Sequence, residues 1–473
     1  MSERLTPLDA SFLYLERPNA AMHVGAVMVF APDAQAPDHA ELLERVGTRL
    51  PRVPRYRQRV RTVPGGIANP VWVPDQSFDV TYHVRAAALP RPSTREQLDE
   101  FVARVLARPL DRSRPLWELY LVEGLEDGGF AVVTKTHQAL VDGIETVDIA
   151  QVVLDDTPVA DVPPPAPWAP GREPSDLQLV VGSVLGAIRR PGRVLEAVDA
   201  GVGELRRAAE GVLAGAGQVL SAVATTASRP AHRNALNGPT GQARRYVTVA
   251  TDLEDYRVVR EGVDRGDVGL TPSINDVVLT VVTGAIRSWL ESRGEVVDRA
   301  TSVRALVPVG IRPEGVDQAG SSRVTACFVD LPVGEPSPVV RLHQIAFAMW
   351  RQVDRGRAMG ADTLAGLAGF ASPTLHALAA RMGGLASRAF FNLVVTNVPG
   401  PQEPRYLGTT TMTETYPVMP VADGQALALG VTSYDGRVYY GINADRDLVP
   451  DLAVLAQAIS DSLAELVELV ELA

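Results

Sequence analysis

Short apolar runs alternate with stretches of helical period along the first third of the chain. Val24 to Phe30 and Phe130 to Val133 are rich in β-branched and aromatic residues and read as buried strands. Glu41 to Leu50 and Arg95 to Ala107 repeat their apolar positions at helical spacing, so residues 1–156 predict an α/β unit. The pattern breaks at Thr157 to Pro174. There Val162-Pro163-Pro164-Pro165-Ala166-Pro167-Trp168-Ala169-Pro170-Gly171 predicts a linker, because each Pro lacks a backbone donor and restricts the residue before it. Helical spacing returns from Leu177 to about Ala227, divided at Pro191-Gly192 into two or more helices. Arg189, Arg190, Arg193, Arg206 and Arg207 would suit an anionic lipid surface. Glu196, Asp199, Glu204 and Glu210 nearly balance them, which favours packing on the protein's own core. Residues 157–244 therefore read as a linker and helical connector, and residues 245–473 as a second α/β unit. Its predicted strands are Tyr246 to Ala250, Ser302 to Pro308, Val324 to Val329, Asn392 to Thr396, Leu427 to Ser433 and Val438 to Asn443. Its predicted helices are Ser273 to Arg293, Pro338 to Arg355 and Leu452 to Leu472.

At 473 residues there is chain enough for two domains with sizeable cores, and 46% hydrophobic content excludes a mostly disordered protein. A net charge of -11 argues against a nucleic-acid binder, which needs a basic face for phosphates. Cys327 is the single Cys, so no intramolecular disulfide forms and a reducing compartment, the cytoplasm, is expected. Cys327 itself lies in an apolar strand and reads as a small buried hydrophobe. No segment has the pattern of a secretory signal, and no apolar stretch is long enough to span a bilayer.

Candidate chemistry concentrates in Thr136-His137-Gln138-Ala139-Leu140-Val141-Asp142-Gly143, delivered to a strand end by the Phe130 run. A His four residues before Asp-Gly would present an imidazole able to take a proton from an alcohol at neutral pH. Gln138 holds that position, and its amide can orient a hydroxyl but not deprotonate it. His137 is adjacent, and strand neighbours point to opposite faces, so it either shapes the site or turns to serve as a poorer base. Gly143 permits a tight turn or a close backbone approach. Asn275 and Asp276, behind Thr271-Pro272-Ser273, form either a helix cap and first turn or part of a binding channel. Thr396 and Asn397 open a Pro-Gly-Pro turn that either offers donors to a substrate or crosses between domains as a rigid loop. Trp117 reads as core packing ahead of acyl contact. Tyr434-Asp435-Gly436-Arg437 predicts a hairpin turn. No nucleophile elbow, Walker pattern or His/Cys metal motif is present, so neither a metal nor a resident cofactor is expected.

These segments resemble the bacterial wax ester synthase/diacylglycerol acyltransferase family, whose motif is His-His-x-x-x-Asp-Gly. The resemblance runs through Pro7-Leu8-Asp9, Met22-His23-Val24-Gly25 and Pro109 to Glu118, then Asn275 to Leu279, Asn392 to Pro401 and Ser433 to Arg437. In the family the second motif His is the general base and aligns with Gln138; the first aligns with His137. Asp142 aligns with a structural carboxylate paired with an Arg, for which Arg304 or Arg312 is the candidate. The implied fold is two chloramphenicol-acetyltransferase-like α/β domains with mixed, mainly antiparallel sheets and an active-site channel between them. The implied reaction moves a long-chain acyl group from acyl-CoA, as co-substrate, to diacylglycerol or a fatty alcohol. Gln138 implies impaired turnover, and a noncatalytic acyl-lipid or acyl-CoA binding protein is the alternative. A condensation-type enzyme using carrier-bound thioesters is the third reading. The implied setting is the cytoplasm, peripheral to the inner membrane or lipid inclusions.

Overall fold

The computed structural model describes residues 3–31, 36–66, 68–141, 149–158, 170–188, 234–263, 271–311, 323–354, 359–360 and 391–472. The centre of the Pro-rich stretch, the helical pattern beyond Ile188, and the sequence-predicted positions Asp142, Gly143 and Arg312 lie outside the described residues.

Two mixed, mainly antiparallel sheets carry the architecture. The first is six-stranded, in the order Tyr406–Leu407, Thr410–Val418, His23–Phe30, Phe130–His137, Trp117–Glu123 and Val84–Ala88. Only its last pair is parallel. The second is seven-stranded: Met359–Gly360, Arg323–Leu331, Val303–Ile311, Leu393–Pro399, Leu427–Tyr434, Arg437–Asp445 and Arg244–Asp252. Leu393–Pro399 runs parallel to both of its neighbours. A small three-stranded sheet, Glu3–Arg4, Val71–Pro74 and Gln58–Arg61, packs Val71 and Val73 under Leu179 of the helix Asp176–Ile188.

The predicted elements recur with longer strands. Phe130–Val133 continues to His137 because antiparallel pairing with both neighbours carries on past the apolar run, so the motif begins inside the sheet. Alternation along Arg437–Asp445 divides its faces. Val438, Tyr440, Ile442 and Ala444 join the core beneath the helices Leu253–Val263, Ile274–Ser292, Pro338–Asp354 and Leu452–Glu471. Tyr439 and Asn443 face the other way, toward Thr410–Val418.

That strand is a crossover that no local pattern announced. Thr410–Val418 belongs by sequence to the second unit, yet it pairs with the edge of His23–Phe30 in the first sheet. Its backbone carbonyls on the inner side are met by second-sheet side chains. Tyr434 donates to Met412 at 2.8 Å, Tyr439 to Thr413 at 2.9 Å and Tyr246 to Pro417 at 3.0 Å. Just beyond it, Asn443 donates to the Met419 carbonyl at 2.7 Å. Buried carbonyls need such partners, and the aromatic rings fill the space between the sheets at the same time.

The helix Arg95–Ala107, closed at its start by a Thr94 capping box, packs on Arg244–Asp252 and makes a second seam. Arg95 donates to Glu414 at 2.8 Å and to Thr248 at 3.2 Å, and its guanidinium lies 4.5 Å above the Tyr416 ring. Thr248 donates to Asp99 at 3.4 Å. Burial pushes the Asp99 carboxyl up to about 7, against the pull of Arg95. Its folded-state value stands above the ordinary 3.8, so folding takes up a proton in that interval and stability falls as pH rises from about 4 to 7. Asp99→Asn removes this slope, at most about 1.4 kcal/mol per pH unit. Denaturant unfolding at several pH values across that interval reads it, and parallel profiles for parent and variant would refute the assignment.

Candidate active site

The strand Phe130–His137 ends where the helix Gln138–Val141 begins, so residues 137 and 138 stand at the change from sheet to helix. His137 N–H donates to the Leu116 carbonyl at 2.9 Å and Gln138 N–H donates to the Met22 carbonyl at 2.8 Å. The turn is thereby gripped from the strands on both sides. Gly25 lets the strands come this close, since a Cβ there would sit 2.1 Å from the Thr134 carbonyl oxygen. The ladder is correspondingly irregular, passing from the pair Val24↔Thr136 to the pair Val27↔Val133.

The two side chains differ in burial at this point. Gln138 is half-buried, and His137 is fully buried, turned into the first lobe. Register sets His23 opposite His137, with ring centroids 5.9 Å apart and edge to face. Glu16, the residue that ends the helix Pro7–Leu15, reaches between them. One carboxylate oxygen is 3.1 Å from His23 Nε2, and the other is 3.7 Å from His137 Nε2, beyond hydrogen-bond range. Arg112 donates to that second oxygen at 2.6 and 3.1 Å and to the Leu13 carbonyl at 2.8 Å. His23 Nδ1 donates to the Leu106 carbonyl at 3.0 Å. Burial opposes the charge on Glu16, but the imidazoles of His137 and His23 outweigh it and hold the carboxyl below its usual range.

His137 Nδ1 accepts from the Ala139 N–H at 3.0 Å, so that nitrogen carries no proton and the ring proton belongs to Nε2. Burial lowers the His137 pKa despite the nearby Glu16, which keeps the ring neutral. One nitrogen is thus committed to the backbone and the other is protonated and buried. Neither is free to accept a proton from a substrate.

The other predicted positions fall in two places. Asn275 and Asp276 begin the helix Ile274–Ser292, whose cap is Ser273: Asp276 N–H donates to Ser273 Oγ at 3.2 Å and Ser273 N–H to Asp276 at 2.7 Å. Both also line a cavity of about 860 Å³, together with Asn397, Gln402, Arg257 and Trp350. Cap and lining are therefore the same residues. Asn397 donates to Asn275 at 3.1 Å, fixing both amides at the cavity wall, while burial raises the Asp276 carboxyl. Thr396 is buried beneath, its hydroxyl directed to the Leu429 carbonyl at 3.5 Å. Every lining residue of this cavity comes from the second lobe, and none from the His137–Gln138 turn. Trp117 is core: its Nε1 donates to the Tyr56 carbonyl at 2.8 Å and its ring stacks on His83 at 4.6 Å. Arg304 pairs with Asp330 at 2.6 Å. The 434–437 segment is the expected hairpin turn, with Asp435 and Gly436 both at positive φ. Cys327 is buried and its thiol is pushed up to about 11.

Residues 5–278 match the model of the wax ester synthase/diacylglycerol acyltransferase catalytic domain, and residues 321–467 match the model of the same family's C-terminal domain. The chain belongs to the wax ester synthase/diacylglycerol acyltransferase family. A full-length relative, named as a probable diacylglycerol O-acyltransferase (tgs1) of Mycobacterium tuberculosis, is 33% identical over 98% of this chain and 95% of its own. The solved wax ester synthase/diacylglycerol acyltransferase of Marinobacter aquaeolei is similar over 99% of this chain and 100% of its own, with a TM-score of 0.69 and 27% identity. A starter condensation domain of rhizomide synthetase shares the fold alone, with a TM-score of 0.56 and 14% identity over 100% of this chain and 95% of that one.

Within this family fold, Glu16 was the residue sequence reading missed. A lone Glu after an apolar helix looks like a surface position, and its partners His23, Arg112 and His137 are far apart along the chain. Among the described residues no group of His, Cys, Asp and Glu is arranged to hold a metal ion, and Arg112 already occupies the Glu16 carboxylate. Among the same residues no helix is long and apolar enough to cross a membrane.

Proposed function

We propose that this chain is an acyl-CoA-dependent O-acyltransferase that moves a long-chain acyl group to diacylglycerol or a long-chain alcohol, slowly, because Gln138 occupies the general-base position. The observation that carries the reading is the turn itself. The backbone grips that hold residue 138 are intact, while the residue held there has no titratable proton. Gln138 orients the acceptor hydroxyl by hydrogen bonding, His137 shapes the turn, and Asp142 and Gly143 complete the motif. Asn275, Asp276 and Asn397 line the path of one substrate, with Thr396 buried on the same strand as Asn397, while Trp117 packs the core of the first lobe. Acyl-CoA enters as a co-substrate and no resident cofactor is needed.

Both acyl chains are hydrophobic, so the working place of the enzyme is the cytoplasmic surface of a membrane or lipid inclusion. Support comes from Phe347 and Trp350, 50% and 40% exposed on the helix that carries part of the cavity wall. Prolonged incubation with palmitoyl-CoA and diacylglycerol-containing vesicles, or with hexadecanol, tests both points. The expected result is co-sedimentation with vesicles and slow accumulation of triacylglycerol or wax ester. The lack of a base at residue 138 favours a second reading, a noncatalytic acyl-lipid binder. Saturable palmitoyl-CoA binding with no product at any time would select it.

A further inference from the structure

Behind the motif lies an ion-pair network that the acyl-transfer reading does not use. Four residues from four separate segments meet there: Glu16 at a helix end, His23 and His137 opposite one another on adjacent strands, and Arg112 before Trp117–Glu123. The Glu16, His23 and His137 side chains are at least nine-tenths buried. Burying a carboxylate is costly unless its contacts compensate, so this arrangement needs a reason.

We infer that Glu16 is a positioning residue, which fixes the tautomer of His137 and through it the turn that presents residue 138. The Ala139 N–H is buried and has His137 Nδ1 as its acceptor. That bond exists only while Nδ1 is unprotonated. A negative carboxylate beside Nε2 favours the ring proton on that nitrogen, even at 3.7 Å, because both side chains are buried and solvent screening is weak. Arg112 holds the carboxylate in place and ties it to the Leu13 carbonyl, so the charge cannot swing away toward solvent. His23 fills the opposite side of the same carboxylate. Without the charge, the proton redistributes between the two ring nitrogens. Each molecule with Nδ1 protonated then leaves the Ala139 N–H without its acceptor, facing another donor. The turn at Gln138 loosens as a result.

Glu16 touches no reacting atom in this scheme. It acts through His137 only, so its effect belongs to geometry at residue 138 and not to the acid–base step.

The test is nitrogen NMR of protein labelled in its seven histidines, with His137 assigned by its loss in His137→Gln. In the parent, His137 should show an unprotonated Nδ1 and a protonated Nε2. In Glu16→Gln, which keeps the side-chain shape, the two nitrogens should move toward a tautomer mixture. An identical His137 signature in parent and Glu16→Gln overturns the inference. Should Glu16→Gln fail to fold, Glu16→Ala, which removes the same charge with a smaller side chain, carries the test; an unchanged signature there also overturns the inference. The kinetic arm rests on the acyl-transfer reading. In a Gln138→His background, adding Glu16→Gln should lower kcat about 10- to 100-fold at nearly constant KM. A Gln138→His protein silent toward acyl-CoA removes the acyl-transfer reading and leaves the nitrogen signature to decide this one.

Discussion

Gln138→His should raise the release of CoA thiol from palmitoyl-CoA, in the presence of diacylglycerol or hexadecanol, by about 10²-fold or more. The magnitude follows from what the substitution restores. An alcohol attacking a thioester must lose its proton as the new bond forms, and an amide has no basic lone pair for it at neutral pH. Imidazole does, and later returns the proton to the departing thiolate. The backbone is ready for it: residue 138 is held by the Met22 carbonyl on its own N–H, and the following N–H is held by His137. His137 cannot already be doing the work, because its Nδ1 is engaged and its Nε2 is protonated and buried. The variant should also gain a rate that rises with pH through the imidazole range, near pH ~6.5, which the parent lacks. Equal silence of parent and variant, with acyl-CoA still bound, would sink the enzyme reading in favour of the binding one.

Gly441→Ala should cost about 3 kcal/mol or more, measured as the shift of the denaturant midpoint with its slope. A Cβ at residue 441 would lie 1.8 Å from the Pro417 carbonyl oxygen and 2.4 Å from the Tyr246 hydroxyl. Neither neighbour has room to yield. Pro417 sits in the crossover strand, in register with Ala26 of the first sheet, and the same carbonyl accepts from Tyr246. Pushing it aside breaks a buried hydrogen bond and disturbs the seam that joins the lobes. Gly430, with Pro417 atoms 2.9 Å from its Cβ position, leaves no space on the other side. An unchanged midpoint would mean that the crossover strand is not packed as tightly as the geometry requires.

Much of this architecture was legible along the chain. The helix Arg95–Ala107 was read with its ends intact, since Thr94 and Gln97 form a capping box and the apolar period is strong. Strand cores were read but strand ends were not. Phe130–Val133 stopped four residues short because Thr134, Lys135, Thr136 and His137 are polar, and only pairing on both sides keeps them in the sheet. Lys135 illustrates the point: it is buried, its ammonium donating to the Arg108 carbonyl at 2.6 Å, and burial pushes it down to about 8. No hydropathy pattern marks such a residue as interior.

The sequence by itself determined the α/β alternation, the family and the chemical singularity at residue 138, because each is written in neighbouring residues. A motif, a hairpin turn and a helix cap are local interactions that survive being read one segment at a time. The tertiary structure alone decided which long-range partners complete them. Thr410–Val418 joins the first sheet because its carbonyls find Tyr246, Tyr434 and Tyr439 waiting on the second, and that meeting depends on the packing of both lobes. The state of His137 was likewise beyond the sequence. A ring nitrogen's proton is set by whichever backbone N–H and whichever carboxylate lie beside it, and here these are Ala139, next but one in the chain, and Glu16, on a different element.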